Sequence, residues 1–203
     1  MRILNFERDF KIIKSIILKG EILCSPTDTQ FGIIGNSLNK TTVFKAYKVK
    51  EREPKKPLII LFDSIETIKK YGILIPEEYR NLLQTIWPGK LTAILPIDGT
   101  SPFRKIFKKD NIAVRIPNHK WLLKLIKETG PLFAPSANPQ DKTPAKNCKE
   151  CISYFKEKIK YCIEGTGNPV PSTIVSLIEN NPIIIRQGHI STETIKSLTQ
   201  TER

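Results

Sequence analysis

Apolar runs of three to five residues recur along this chain, and amphipathic stretches separate them. Leu58-Ile59-Ile60-Leu61-Phe62, bounded by Pro57 and Asp63, is the clearest. A continuous apolar run of that length between turn residues suits a strand covered on both faces. Ile22-Leu23-Cys24, Phe31-Gly32-Ile33-Ile34, Leu91 to Leu95, Ile112 to Ile116, Leu132-Phe133-Ala134, Val175 and Ile183-Ile184-Ile185 read as further strands. Phe6, Phe10, Ile13 and Ile17 recur at helical spacing, with Asn5 as cap and Gly20 as stop. Val43, Phe44 and Tyr47 mark a second helix, a third follows Ser64 and stops at Gly72, and a fourth runs from Pro76 until Pro88 breaks it. Lys120 to Glu128, a segment beginning near Asn147 and one from about Thr192 complete the helices. Strands alternating with helices predict an α/β fold with helices layered on a central sheet. No repeat, low-complexity tract or linker interrupts the 203 residues, so a single domain over 1–203 is expected.

No apolar run approaches the ~20 residues of a membrane span. Charges return directly after Met1, leaving no secretory apolar core. A cytoplasmic location away from membranes is expected. Lys and Arg total 33 against 20 Asp and Glu, a formal net charge of +13. Such a balance favours polyanions: nucleic acid, nucleotide phosphates or anionic lipid. Solvated lysine accounts for part of it. Residues 40–56 concentrate it, with seven cations facing only Glu51 and Glu53.

The four cysteines are Cys24, Cys148, Cys151 and Cys162. A lone CxxC at Cys148 and Cys151 has no second pair to complete a zinc site. On a helix it sets Cys148 beneath Ile152 and Cys151 beneath Phe155, so all four read as core thiols without disulfides in a reducing compartment. No metal site is expected.

Several familiar chemistries are missing. No G-x-x-x-x-G-K-[ST] occurs, and Gly165-Thr166-Gly167 lacks the third glycine of a dinucleotide fingerprint. Two histidines, His119 and His189, and no nucleophile elbow give little support for a serine hydrolase.

Four polar segments, by contrast, stand at or just beyond apolar runs. Pro26-Thr27-Asp28-Thr29 sets two hydroxyls past a buried strand, the usual place for a ligand in an open sheet, although the same residues make a good turn. Lys50, Arg52 and Lys56 follow the second helix and can grip a polyphosphate, or simply complement the helix dipole. Arg115 is embedded in Ile112-Ala113-Val114-Arg115-Ile116, where a guanidinium needs an anion: a substrate carboxylate, or a structural Asp or Glu. Ser136-Ala137-Asn138 and Pro171-Ser172-Thr173 add small polar groups, and Arg186 ends the last apolar run. Four such segments suggest one cleft built from strand ends and a nucleotide-using enzyme.

In that order the motifs resemble the YrdC/Sua5-type threonylcarbamoyl-AMP synthase family, from about Ile22 to Gly188. The matches are P-T-[DE]-T-x-[YF]-G at Pro26 to Gly32 and K-x-R-x-x-x-[KN]-P-L at Lys50 to Leu58. Trp87 to Thr92 and Val114 to Pro117 follow, then Ser136 to Asn138, Pro171 to Thr173 and Arg186 to Gly188. The resemblance implies a twisted open mixed sheet flanked by helices, with a positively charged concave cleft. It implies the joining of L-threonine, bicarbonate or CO2, and ATP into threonylcarbamoyl-AMP and pyrophosphate, with Mg²⁺. A tRNA threonylcarbamoyl transferase complex downstream would complete N6-threonylcarbamoyladenosine at tRNA position 37. Thr29, Arg115, Ser136 and Ser172 would hold threonine. Lys50, Arg52, Lys56, Asn138, Lys146 and Arg186 would hold ATP, with Lys50 and Arg52 catalytic. Phe31 replaces the commoner Tyr, Glu53 stands where many relatives have Pro, and Leu61 where some longer ones have His. Lys146 stands where Thr or Arg is frequent, and the C-terminal domain of the longer form is not expected. The competing reading is an RNA-binding module, for tRNA or rRNA, for which the net charge alone predicts salt-sensitive binding.

Overall fold

The computed structural model describes residues 1–53 and 57–199. Ten strands form one sheet: β1 (Arg2–Leu4), β2 (Leu23–Ser25), β3 (Gly32–Asn36), β4 (Ile59–Leu61), β5 (Leu91–Pro96), β6 (Asn111–Arg115), β7 (Leu132–Phe133), β8 (Tyr161–Ile163), β9 (Thr173–Ser176) and β10 (Ile183–Arg186). Their order across the sheet is β1-β8-β2-β3-β7-β4-β6-β5-β9-β10. Parallel pairs (β1 with β8, β8 with β2, β4 with β6, β5 with β9) mix with antiparallel ones, so the sheet is mixed and open.

The helices are α1 (Phe10–Leu18), α2 (Lys40–Lys50), α3 (Ile65–Lys70), α4 (Arg80–Ile86), α5 (Pro102–Phe107), α6 (Lys120–Thr129), α7 (Cys148–Phe155) and α8 (Thr192–Thr199). Adjacent strand residues send side chains to opposite faces, and both faces are covered. Leu23, Ile34, Leu61 and Leu132 pack with α1 and α6. Cys24, Ile33, Ile60 and Phe133 pack on the other side with residues of α2, α4, α7 and α8. Among the described residues, no helix is long and apolar enough to cross a membrane.

Most elements fall where the apolar pattern puts them, and the departures have local causes. Asn5 does not cap α1. Its Oδ1 accepts from the amides of Glu7 and Arg8, closing a separate turn, and the helix begins at Phe10. Phe44 is 63% exposed, because the inward face of α2 is Val43, Ala46, Tyr47 and Val49. β1, β8 and α5 lie where no strand or helix was expected. β1 begins on the charged Arg2, and Lys158 and Lys160 interrupt the apolar residues leading into β8, so neither stands out as an apolar run between turn residues.

The cysteine expectation is overturned at two positions. Cys148 and Cys162 are joined by a disulfide across a sequence separation of 14, while Cys24 and Cys151 are buried free thiols. Without β8, Cys162 had no assigned neighbour. With β8 paired to β2 and α7 packed on it, the two cysteines meet.

Candidate active site

The loop from β2 to β3 explains why Pro-Thr-Asp-Thr serves as both turn and site. Thr27 Oγ1 accepts from the Thr29 amide at 3.0 Å and donates to the Gln30 carbonyl at 2.8 Å, so that hydroxyl maintains the turn. Thr29 Oγ1 is thereby presented to Arg115 Nη1, which donates to it at 2.7 Å. Asp28 lies 3.1 Å from Arg115 Nη2 through Oδ1 and accepts the Asn118 amide at 3.0 Å through Oδ2. The embedded arginine therefore has a structural carboxylate as its ion-pair partner. Its Nε stays buried without a hydrogen-bond partner among the described residues.

After α2 the chain turns through Glu51, at φ 54°, in the left-handed region. Lys50, the last residue of α2, continues the buried face of Ala46 and Tyr47, and Arg52, after the turn, donates Nη2 to the Pro57 carbonyl at 3.2 Å. The Lys50 ammonium is buried, and it donates to the carbonyl of Ser136, to the carbonyl of Asn138 at 2.7 Å and to Asn138 Oδ1 at 3.3 Å. Burial first, and then the Arg52 charge, pushes its pKa from 10.5 down to about 7, against a smaller upward pull from Cys24. Three oxygen acceptors favour the ammonium and oppose that loss of charge.

Ser136 donates its hydroxyl to Asn138 Oδ1 at 2.6 Å, and Asn138 Nδ2 donates to the carbonyls of Pro139 and Lys142. The buried Ala137 anchors this loop by donating its amide to the Phe31 carbonyl at 2.8 Å. On the far side, Arg186 donates through Nη2 to the Ser172 carbonyl at 2.9 Å and to Ser172 Oγ at 3.3 Å, and Ser172 Oγ lies 2.8 Å from Thr92 Oγ1. Gly188 permits this approach: a Cβ there would meet the Pro171 carbonyl at 2.3 Å.

These segments enclose one cavity of about 170 Å³. Thr29, Arg52, Arg115, Ser136, Ser172 and Arg186 line it, over an apolar floor of Ile59, Ile94, Ala113 and Ile174. No acidic side chain is among its described lining residues. Burial lowers the pKa of Arg186, and the charges of Arg115 and Arg52 lower it further. Arg52 Nε is also buried without a hydrogen-bond partner among the described residues. Three guanidinium groups crowd this cavity on the face of the sheet, and two of them, Arg52 and Arg115, keep a buried Nε–H without a partner among the described residues, an arrangement suited to an anion. Planar forks of this kind take carboxylate or phosphate oxygens in pairs.

Six of the ten expected site residues thus meet on one cavity. Lys50 and Asn138 lie behind its Ser136 wall and spend their polar groups on the loop itself. Lys146 is exposed and is not among the lining residues. Lys56 falls outside the described residues. Sequence reasoning missed the apolar floor, although the period of two in β6 already put Ala113 on the face of Arg115. It left the arginine's partner open between substrate and protein, and Asp28 is that partner. Trp87, in the tryptophan-proline-glycine segment, is buried and donates Nε1 to the Leu91 carbonyl at 2.7 Å, a structural role.

The fold and cavity define an open mixed α/β sheet with an arginine-lined hollow on one face. A family model described as "Telomere recombination" (Sua5/YciO/YrdC) matches residues 15–188. The chain belongs to the Sua5/YciO/YrdC family. It is 33% identical over 195 residues to the threonylcarbamoyl-AMP synthase of Pyrococcus abyssi, covering 95% of this chain and 57% of that protein. It is 33% identical over 192 residues to the putative threonylcarbamoyl-AMP synthase of Methanocaldococcus jannaschii, covering 92% and 90%. P. abyssi Sua5 complexed with L-threonine superposes with a TM-score of 0.89 at 33% identity, over 98% of this chain and 61% of that one. E. coli YciO shares the fold, with a TM-score of 0.81 at 18% identity over 93% of each chain. The chain spans about half the length of several relatives: 57%, 54% and 48% for those of P. abyssi, Bacillus subtilis and Schizosaccharomyces pombe.

Proposed function

We propose that this protein is an L-threonylcarbamoyladenylate synthase, a nucleotidyltransferase that supplies threonylcarbamoyl-AMP for tRNA modification in the cytoplasm. The convergence of Thr29, Arg115, Ser136 and Ser172 with Arg52 and Arg186 on one cavity carries this reading. Relatives named for that activity and a neighbour bound to L-threonine support it. The unbroken ten-stranded sheet supports the reading of residues 1–203 as one domain.

In this reading the Arg115 guanidinium, held in place by Asp28 and Thr29, receives the threonine carboxylate. The hydroxyls of Ser136 and Ser172 orient the rest of the amino acid. The threonine amine adds to CO2 and loses a proton, giving a carbamate. A carbamate oxygen then attacks the α-phosphorus of ATP as the bond to pyrophosphate breaks. Arg52 and Arg186 meet the charge that develops on the departing pyrophosphate. Lys50 acts from behind, keeping the Ser136–Asn138 loop in position. Alignment of two bound reactants is worth up to about 7–11 kcal/mol of barrier, so no protein nucleophile is needed.

Among the described residues there is no group of three or more His, Cys, Asp or Glu side chains that would hold a metal ion. Asp28 is spent on Arg115. Mg²⁺ enters this reaction with the nucleotide, as the MgATP substrate.

The test is pyrophosphate release from MgATP in the presence of bicarbonate, with and without L-threonine. Release only with threonine is expected, and threonine-independent release would overturn the proposal. Salt-sensitive RNA binding that survives saturation with ATP and threonine, without turnover, would favour the RNA-binding alternative.

A further inference from the structure

All four cysteines belong to one core cluster, and the active-site reading uses none of them. Cys148 opens α7 directly after the segment that follows Ser136–Asn138, and Cys162 sits in the middle of β8. Cys24 is the register partner of Cys162, and Cys24 and Cys151 are buried free thiols.

The position of the bond matters more than its presence. Downstream of Cys162, the chain runs as a strap back to Ser172. The Gly167 amide donates to the Lys146 carbonyl at 2.8 Å, and the Asn168 amide donates to the Thr29 carbonyl at 2.8 Å. Upstream of Cys148, the Ala145 amide donates to the Ala137 carbonyl at 2.9 Å. The strap lies close against its neighbours: a Cβ on Gly167 would meet the Phe31 amide nitrogen at 2.3 Å. One covalent bond thus joins the roots of the segments carrying Ser136 and Ser172, and the strap between them also braces Thr29.

We propose that the Cys148–Cys162 disulfide is a reducible positioning element for the threonine side of the cavity, making threonine affinity depend on the thiol–disulfide state. This rests on the synthase reading for its ligand. The reductant is a dithiol. Its thiolate attacks Cys148 Sγ, since Cys148, though buried, is the residue nearer the surface, at 7% exposure against 0% for Cys162. The Cys148–Cys162 bond breaks and Cys162 leaves as a thiolate that takes up a proton. The second thiol of the reagent then displaces Cys148, which is protonated in turn, and the reagent departs as a disulfide. Two electrons and two protons reach the protein, which then carries four thiols. The strap loses its covalent root but keeps its hydrogen bonds, those of the Gly167 and Asn168 amides and the one from Gln30 Nε2 to the Pro169 carbonyl among them. It therefore opens more often while the fold persists.

The experiment compares untreated protein, protein reduced with dithiothreitol, and Cys162→Ala. Thiol counts after denaturation should be two before reduction and four after it. Amide hydrogen exchange at Gly167 and Asn168 should quicken by roughly five-fold on reduction and recover on reoxidation. KM for L-threonine should rise by a similar factor, roughly five-fold, with kcat nearly unchanged. Cys162→Ala should show the raised KM in either buffer. Four thiols before any reductant, unchanged exchange, or a KM in Cys162→Ala that still responds to dithiothreitol would overturn the proposal. So would faster exchange at an unchanged threonine KM. Faster exchange with no threonine-dependent turnover in either state would support the strap and overturn the synthase reading, so the two fail separately.

Discussion

Arg115 Nη1 donates to Thr29 Oγ1 at 2.7 Å while its Nη2 stands 3.1 Å from Asp28 Oδ1, so two neighbouring residues of one loop hold a guanidinium of β6. Both members of the ion pair are almost completely buried, at 4% and 6% side-chain exposure. This is a strong constraint on the shape of the site.

Replacing Arg115 with Met strands the Asp28 carboxylate in the interior. Breaking a buried pair from one side costs about 3–5 kcal/mol. Chemical denaturation of Arg115→Met should show a loss of that size, and adding Asp28→Asn should recover most of it. Threonine-dependent turnover should stay absent in both variants. A single variant as stable as the parent would mean that the pair does not hold the loop.

Arg52 presents the opposite case. It is only partly buried and donates Nη2 to the Pro57 carbonyl at 3.2 Å, while its charge pushes against Arg186. Arg52→Ala should reduce pyrophosphate formation by about 10²–10³-fold, the size of losing one preorganised charge donor. Stability should change by less than ~1 kcal/mol, because the loss of one hydrogen bond is offset by relieved repulsion. Retained turnover would remove Arg52 from the chemistry.

Lys50 carries a pH signature. Its pKa is about 7 in the fold, lowered from 10.5 chiefly by burial. Between those values the unfolded chain binds the extra proton, so the contribution of Lys50 to stability grows as pH rises through that window. Against Lys50→Met, which does not titrate, the difference in unfolding free energy should shift in favour of the wild type from pH 7 to pH 10. A flat difference would show that the three oxygen acceptors keep the ammonium charged throughout.

His119 gives an acid counterpart. It caps α6 by accepting the Leu122 amide on Nδ1 at 3.3 Å, which requires that nitrogen to be unprotonated. Burial holds its pKa below 6.5. The unfolded chain protonates first as pH falls, so the stabilising effect is complete above the unfolded value and is lost as pH drops through the folded one. His119→Asn keeps a capping acceptor without titrating. Its midpoint of thermal unfolding should fall less than that of the wild type between pH 7 and pH 5. Parallel slopes would assign the acid sensitivity elsewhere.

Much of the site was legible because its residues violate their surroundings. Arg115 in an apolar strand must find an anion, and Thr29 and Ser172 stand immediately outside buried runs. The fate of Lys50 was not legible, since a cation after a helix reads alike whether it faces ligand, solvent or a loop carbonyl. The helix face it shares with Ala46 and Tyr47 carries it inward, onto the carbonyls of the Ser136–Asn138 loop. The α/β layering followed from runs such as Leu58 to Phe62, whose length and flanking Pro57 and Asp63 suit a covered strand. β1 and β8 escaped because lysines and an arginine interrupt their apolar residues, and the disulfide escaped with them.

Strand order gives the cavity a mechanical meaning. Arg186 sits on β10, the outermost strand, and Arg115 on β6, with β5 and β9 between them. Reactants held together by both arginines would rivet the free margin of the sheet to its interior. The hairpin of β9 and β10, otherwise the easiest part to peel away, would then be the region that substrate locks most firmly.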